Sequence, residues 1–512
     1  MKSGILSGTM IICFLLAGVL QAQDYELTTT SKKAARYYDR AERAYLENKL
    51  DKSREYLHRA IVEDSVFIEA WLLLGDIYMD ENKPGNAEEA YRKAIGIDSE
   101  FFPHAWYFLG NIQLELKKYP QAEESFKSYL EFPDLPAVTI ARVQQKLEEI
   151  RFRAEAYRNP VPFNPVNLGD TINTPADEYI NALSTDEQLL FFTRRIRIDE
   201  NSRTPRYQEK ILFARKQDSL WSQVQDLNID FQSNLNIGAM IISPDRNYLF
   251  FVICTSSMGL GSCDLYYAPR QYDSWGKPVN LGSVVNTGFW ESQPSFSSDG
   301  RTLYFASNRP GGKGSSDIWK STIKDGHWTK PVNLGWPVNT SKEEMAPFIH
   351  PDDKTLYYSS AGHSGMGSAD LFVSRKDSTG LWGTPVNLGY PINTEEDEIN
   401  LIVSPGGQQA YISSNKEGGR GNYDIYVFEL YDAIKPEPVT YLKGKVFDAN
   451  TLEPLQASFE LIDLETQQTR VESFSDKESG EFLLVIPVGQ DFALNVSREG
   501  YLFYSDHFSL SE

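Results

Sequence analysis

The chain is short of cysteine, of histidine and of positive charge. Its 512 residues hold 3 Cys and 6 His, and 50 Lys and Arg stand against 71 Asp and Glu, a net charge of −21. Each shortage excludes something. The histidines at 58, 104, 327, 350, 363 and 507 are scattered, and His363-Ser364 has no matching acid. There is no His-Glu-x-x-His, no Gly-x-Ser-x-Gly, no Cys-x-x-Cys and no phosphate loop, so the sequence offers no catalytic set, no metal site and no cofactor site. Gly311-Gly312-Lys313-Gly314-Ser315 has the flavour of a phosphate loop, but its spacing is wrong and it falls in a hairpin instead of before a helix. Phosphate recognition needs a basic face, so the acidic balance argues against a nucleic-acid partner. Long apolar runs are missing after Leu20, and no later stretch could cross a bilayer as a helix.

The first residues read as a targeting segment. Lys2, the apolar run Ile11–Leu20 and Leu20-Gln21-Ala22-Gln23 fit a cleaved secretory signal over 1–23, with an uncleaved anchor as the alternative. Cleavage would leave two cysteines, Cys254 and Cys263, flanking one hairpin. Two readings stay open: a cross-strand disulfide, favoured by an oxidising compartment, or two separate thiols.

What the chain does have is repetition. Pro331-Val332-Asn333-Leu334-Gly335-Trp336-Pro337-Val338-Asn339-Thr340 returns from Pro165, Pro278 and Pro385, with a weaker copy at Asp226-Leu227-Asn228. Asp264-Leu265-Tyr266, Asp317-Ile318-Trp319, Asp370-Leu371-Phe372 and Asp424-Ile425-Tyr426 keep the same beat, 53, 53 and 54 residues apart. A period near 50 reads as a propeller. One unit holds four short strands, near 345–350, 355–360, 370–375 and 382–388 in its fourth copy, with Trp275, Trp328 and Trp382 opening the last strand and covering the gap to the neighbour. The inner three strands occur five times. The outermost strand of the last unit is missing, and a spare copy at 163–168 precedes the first. The count predicts a five-bladed propeller over 160–432, closed by strand 163–168, which removes open sheet edges.

Two repeated carboxylates stand out. The Asp that opens the third strand in four units, lost in the first where Lys210-Ile211-Leu212-Phe213 stands, is expected to tie down its own loop by accepting backbone N–H bonds. Four residues after each Asn-Thr pair come Glu178, Glu291, Glu344 and Glu398. Either they ring one mouth of the propeller channel, as a site for a cation or a basic group, or each is bonded to its own inter-blade loop.

Residues 32–158 read as helical, with a period of 34 to 35. Trp71, Leu74, Gly75, Ala87, Tyr91 and Ala94 answer to Trp106, Leu109, Gly110, Ala122, Phe126 and Tyr129, and Tyr37, Ala41, Ala44, Leu57 and Ala60 form a weaker first copy. Asn48-Lys49 and Asn82-Lys83 fall at the turns, and a helix near 137–158 caps the array. These residues resemble tetratricopeptide repeats. The resemblance implies peptide binding on the concave face, here Tyr38, Glu42, Tyr45, Leu72, Asp76, Tyr107 and Asn111, with Glu69, Met79, His104 and Leu114 beside them. The Lys, Arg and Asn set that grips a terminal carboxylate in some relatives is absent. The alternative is that part of this face packs against its own chain.

The repeat over 160–432 resembles the WD40-like repeats of TolB-type periplasmic proteins, through Ser298-Asp299-Gly300, Leu303–Arg309, Gly311-Gly312 and Ser413-Ser414-Asn415. Residues 441–512, with Gly444-Lys445-Val446-Phe447-Asp448, Thr451 and Pro454-Leu455, resemble the small β-sandwich called the carboxypeptidase regulatory-like domain, an accessory module. In this order the parts resemble multidomain OmpA-family envelope proteins of Bacteroidetes, some linked to type IX secretion. That resemblance implies a periplasmic, outer-membrane-associated scaffold with periplasmic or outer-membrane protein partners. The family's peptidoglycan-binding domain has no counterpart in these residues, so peptidoglycan is a partner only if such a domain is restored. An enzyme acting on glycans or peptides, or a sensor using the channel, are the rival readings.

Overall fold

The computed structural model describes residues 26–510 except 200–205, 219, 223, 228, 230–235, 255–258, 272–273 and 417. The expected signal segment, 1–23, lies outside the described residues. The chain divides into two compact units, Met1–Arg158 and Asn159–Glu512.

The first unit is helical: α1 (Lys32–Leu46), α2 (Leu50–Glu63), α3 (Ile68–Asp80), α4 (Pro84–Ile97), α5 (His104–Glu115), α6 (Tyr119–Leu130) and α7 (Ala137–Arg158). Helix α1 starts where Ser31 Oγ accepts the N–H of Ala34 at 3.2 Å. Pro84 and Pro120 stand in the first turns of α4 and α6, where a missing N–H costs nothing. The turns inside the helix pairs pass through left-handed residues, Asn48, Asn82 and Lys117, with φ of 56°, 57° and 58°. Close helix approach depends on two glycines. A Cβ on Gly75 would come within 2.7 Å of the Tyr91 ring, and one on Gly110 within 2.9 Å of the Phe126 ring. The core runs continuously from Leu57, Phe67 and Leu74 to Tyr91 and Leu109. It ends where Val143, Leu147 and Ile150 of α7 cover Phe126 and Tyr129.

The second unit is strand-rich and antiparallel. Its first five sheets have their inner three strands at 177–183, 189–197 and 207–217; 236–242, 248–254 and 263–271; 291–296, 302–307 and 317–324; 344–349, 355–360 and 370–375; and 399–403, 409–414 and 424–429. A two-residue outer strand follows in each: Gln225–Asp226, Val279–Asn280, Val332–Asn333, Val386–Asn387 and, in the fifth, Val166–Asn167 from far earlier in the chain. Val166 stands opposite Val427 and Asn167 opposite Tyr426. The innermost strand of each sheet packs beside the innermost strands of two others, and the succession returns from the fifth to the first.

The outer strand differs from the continuous 382–388 expected from the sequence. Trp275 and Trp328 form short pairs of their own, and Trp382 a lone bridge, before Pro278, Pro331 and Pro385 interrupt the ladder. Proline has no N–H to give it. The tryptophans pack across sheets: Trp328 lies edge-on to Phe250 at 6.4 Å and Trp382 edge-on to Tyr304 at 6.4 Å.

Two further sheets end the chain. Val439–Lys445 pairs with Glu481–Pro487, and a four-stranded sheet runs 469–474, 458–463, 491–497, 504–509. They share a core of Phe459, Leu461, Leu484, Ile486 and Phe492. This part meets turns or third-strand ends of all five preceding sheets: Lys443 to Asp186 (3.6 Å), Arg270 to Glu481 (3.8 Å), Arg301 to Glu472, Lys354 to Glu437 (2.6 Å) and Val439 N–H to the Pro405 carbonyl (3.0 Å).

Candidate functional site

The repeated decapeptide is a hydrogen-bonding unit, legible residue by residue. In the third sheet Asn333 Oδ1 accepts from Gly335 N–H and from Asn339 Nδ2, both at 2.8 Å. Asn339 in turn bonds the backbone N–H and C=O of Ile318 at 2.9 Å each, locking the loop to its own third strand. Asn286 does the same for Leu265, Asn393 for Leu371 and Asn173 for Ile425. In four of the five sheets, all but the first, the Asp that starts the third strand accepts backbone N–H bonds from its own loop. Asp317 takes those of Lys313 (2.7 Å) and Gly314 (3.3 Å), so the glycine-rich loop there holds a carboxylate of its own chain. Asp264, Asp370 and Asp424 repeat the arrangement.

A glycine position completes the unit. Cβ atoms on Gly261, Gly314, Gly367 and Gly421 would lie 1.9, 1.7, 2.0 and 2.0 Å from the carbonyl oxygens of Phe289, Lys342, Glu396 and Ala176. Each of those carbonyls sits just before the first strand of another sheet, so only glycine lets the loops close. Sequence reading missed this role, although the four glycines share the 53–54 residue beat.

The four glutamates are turned into these loops. Glu178, Glu291 and Glu344 are fully buried, and Glu398 is 6 % exposed. Each accepts from the N–H and hydroxyl of the threonine four residues earlier; for Glu344 these bonds are 2.7 and 2.6 Å. Thr174, Thr287 and Thr394 serve the other three. Their second partners differ. Glu178 meets Arg194 at 2.7 Å, Glu291 meets Ser307 at 2.9 Å and Arg309 at 3.1 Å, and Glu344 meets Ser360 at 2.7 Å. Burial raises the Glu178 carboxyl above the ordinary glutamate range, against the pull of Thr174 and Arg194. Burial pushes Glu398 further, to about 8, with only Thr394 to lower it and Asp370 and Asp397 adding to the rise.

Where the innermost strands converge, a cavity of about 40 Å³ is lined by Asn181, Ala239, Gln293, Ala346 and Asn400 among others. These residues sit at bulges, and four of them, all but Asn181, have positive φ. That volume suits a water or two. A second cavity of similar size nearby counts Val485, from the C-terminal sheets, in its lining. Cys254 and Cys263 are joined as a disulfide with Cα atoms 3.9 Å apart.

In the helical unit the candidate groove residues divide. Tyr38 and Leu72 are buried in the core, Tyr38 against Phe67 at 5.1 Å. Asp76 is 3 % exposed and accepts the Tyr91 hydroxyl. Burial pushes its carboxyl up to about 7, with Asp80 adding to the rise and the Tyr91 bond opposing it. Glu42, Tyr45, Tyr107 and Asn111 are half-buried on the same side. Tyr45 donates to Asp80 at 2.7 Å, and Asn111 accepts from Lys146 at 3.1 Å. Burial and the neighbouring Asp39 raise the Glu42 carboxyl. Tyr91 was not among the sequence candidates. Its spacing from Asp76 crosses two helices, and no single-helix periodicity reveals it.

The tetratricopeptide repeat family model matches residues 68–101 and 103–132. No curated protein matches the chain. Among solved structures, the Yersinia enterocolitica type III secretion chaperone SycD with a peptide of the translocator YopD is 19% identical, covering 24% of this chain and 97% of that one at a TM-score of 0.23. The second tetratricopeptide domain of human RPAP3 with an HSP70 peptide is 21% identical over 23% of this chain and 95% of its own, TM-score 0.21. The Arabidopsis OM64 tetratricopeptide domain is 17% identical over 23% and 96%, TM-score 0.21. The N-terminal unit therefore carries tetratricopeptide repeats, followed by a large strand-rich region of antiparallel sheets.

Proposed function

We propose that the protein is a non-catalytic scaffold of the cell envelope that holds other proteins through its tetratricopeptide groove. In this reading the five sheets are the blades of a closed five-bladed propeller, and the two C-terminal sheets are a small β-sandwich of the carboxypeptidase regulatory-like kind. The observation that carries the reading is the tetratricopeptide array, whose α1, α3 and α5 leave Glu42, Tyr45, Met79, Tyr107, Asn111 and Leu114 partly open on one side. The surface is aromatic, apolar and acidic, which suits an extended segment with apolar and basic side chains. Support for the envelope comes from the signal-like pattern at 1–23, the disulfide Cys254–Cys263 and the resemblance to OmpA-family proteins. A place in type IX secretion rests on that resemblance alone.

The test is capture from envelope extract with the wild-type chain and with a Tyr45→Ala, Tyr107→Ala, Asn111→Ala triple variant. The reading expects a protein retained by the first and lost by the second. Equal capture by both, or no partner together with turnover of a glycan or peptide substrate, would overturn it.

A further inference from the structure

A cavity of about 360 Å³ lies between the second sheet and the C-terminal sheets, inside the second unit. Its wall carries four cations, in a chain whose net charge is −21. Arg246 and Arg270 come from the second sheet, and Lys443 and Lys445 from one face of the strand Val439–Lys445. These four share two carboxylates. Asp186 of the first sheet lies against Arg246 and 3.6 Å from Lys443, and Glu481 lies 3.8 Å from Arg270 and 3.1 Å from Lys445. The other acids of the wall are held in their own turns. Asp245 accepts from the Ser243 hydroxyl and from the N–H and Nδ2 of Asn247, and Asp476 accepts from the N–H groups of Glu478 and Ser479.

Arg246 stands where its own turn gives no reason for it. The turn between the first two strands of each sheet contains one left-handed residue: Glu187, Arg246, Gly300, Asp353 and Gly407, with φ of 54°, 62°, 65°, 59° and 71°. Two copies use glycine, which takes this conformation without strain, whereas arginine is uncommon there. Asp186 is an ion partner of Arg246, yet the buried Nε and Nη2 make no hydrogen bond among the described residues. Burial works against the charge on Arg246, Arg270 adds to the effect, and Glu481 and Tyr441 oppose it. The next residue is also incompletely paired. A carboxylate only accepts, so Asn247 meets Asp245 through Nδ2, and its buried Oδ1 has no hydrogen-bond partner among the described residues.

The two needs define a ligand. Nε and Nη2 form one edge of a guanidinium, which takes the two oxygens of a carboxylate or phosphate side by side. Asn247 Oδ1 takes a donor, such as a hydroxyl. We propose that this cavity binds a small hydroxylated anion, with the chemistry of a sugar acid or sugar phosphate, its oxyanion held by Arg246, Lys443 and Lys445 and a hydroxyl donated to Asn247. The volume is in the range of small-molecule sites. Because the wall joins parts of the chain about 200 residues apart, the bound molecule ties the C-terminal sheets to the second sheet.

The test is isothermal titration calorimetry of the full chain with glucuronate, glucose-6-phosphate, inorganic phosphate and glucose, each to about 10 mM. Glucuronate or glucose-6-phosphate should bind with a Kd below about 1 mM and at least about tenfold more tightly than inorganic phosphate or glucose. Which of the two binds identifies the head as carboxylate or phosphate. Arg246→Gly installs the residue that Gly300 and Gly407 already supply at this turn, so it keeps the backbone while removing the guanidinium. It should weaken binding at least about tenfold, as should Lys443→Gln with Lys445→Gln. Failure of both sugar anions to bind, inorganic phosphate binding as tightly as either, or undiminished binding in either variant would overturn the proposal.

Discussion

Replacing Asp76 by Asn should make the helical unit more stable, and increasingly so as the pH rises. Asp76 is buried, and its carboxyl titrates at about 7 against an ordinary 3.8. The folded state therefore holds a proton that the unfolded chain has already released between those values. Stability belonging to this group is full below pH 3.8 and is lost as the pH climbs through about 7. Each unit of pKa difference is worth about 1.4 kcal/mol, so the wild type should lose about 1.4 kcal/mol per pH unit between about 4 and 7, on the order of 4 kcal/mol in all. Asn is neutral at every pH, and its carbonyl oxygen can still accept the Tyr91 hydroxyl that Asp76 holds now. The assay is urea unfolding followed at 222 nm, where the helices dominate, for both proteins at several pH values. The gap between variant and wild type should widen steadily up to about pH 7 and then level off. A gap that does not change with pH would show that water reaches Asp76 and would refute the reasoning.

Gly314→Ala should cost at least about 3 kcal/mol, because its Cβ would sit 1.7 Å from the Lys342 carbonyl oxygen, while Gly96→Ala, with open space inside α4, should gain about 0.5–1 kcal/mol in the same melts. Asp317→Ala should cost about 1–3 kcal/mol by orphaning the N–H groups of Lys313 and Gly314, seen as a lower denaturation midpoint. Thiol titration of the unreduced, unfolded chain should find neither Cys254 nor Cys263 free, and Cys254→Ser with Cys263→Ser should lower stability by about 2–3 kcal/mol, as expected for a closed loop spanning a sequence separation of 9.

Local order was legible wherever a residue type answers a local demand. Gly75 and Gly110 recur because α4 and α6 press against them, and Asn48 and Asn82 recur because the turn needs a left-handed residue. Lys117 fills the same turn without the usual side chain, so the third copy reads less clearly. The Asn-Thr-x-x-x-Glu spacing could be seen, but not the direction of the carboxylate. Both readings place Glu at the start of an innermost strand, and they differ only in which way χ1 turns. Threonine four residues back, together with Ser307, Ser360 or Arg194 on the adjoining strand or Arg309 just beyond its end, draws it into the loop. The outer strand was drawn too long because alternation alone ignores the proline that interrupts it.

By itself the order of residues settled what neighbours in the chain decide: where helices pair, where strands turn, and the 53–54 residue beat of a unit that satisfies its own backbone. Only the tertiary structure decided matters between distant residues. It set Val166 opposite Val427, sealed Asp76 beneath Tyr91 from the next helix, and paired Glu481–Pro487 with Val439–Lys445 across some forty residues of chain. The physical reason is that hydrogen bonds and periodicity act over a few residues, whereas burial, and with it the charge state of a carboxylate, depends on everything that packs around it.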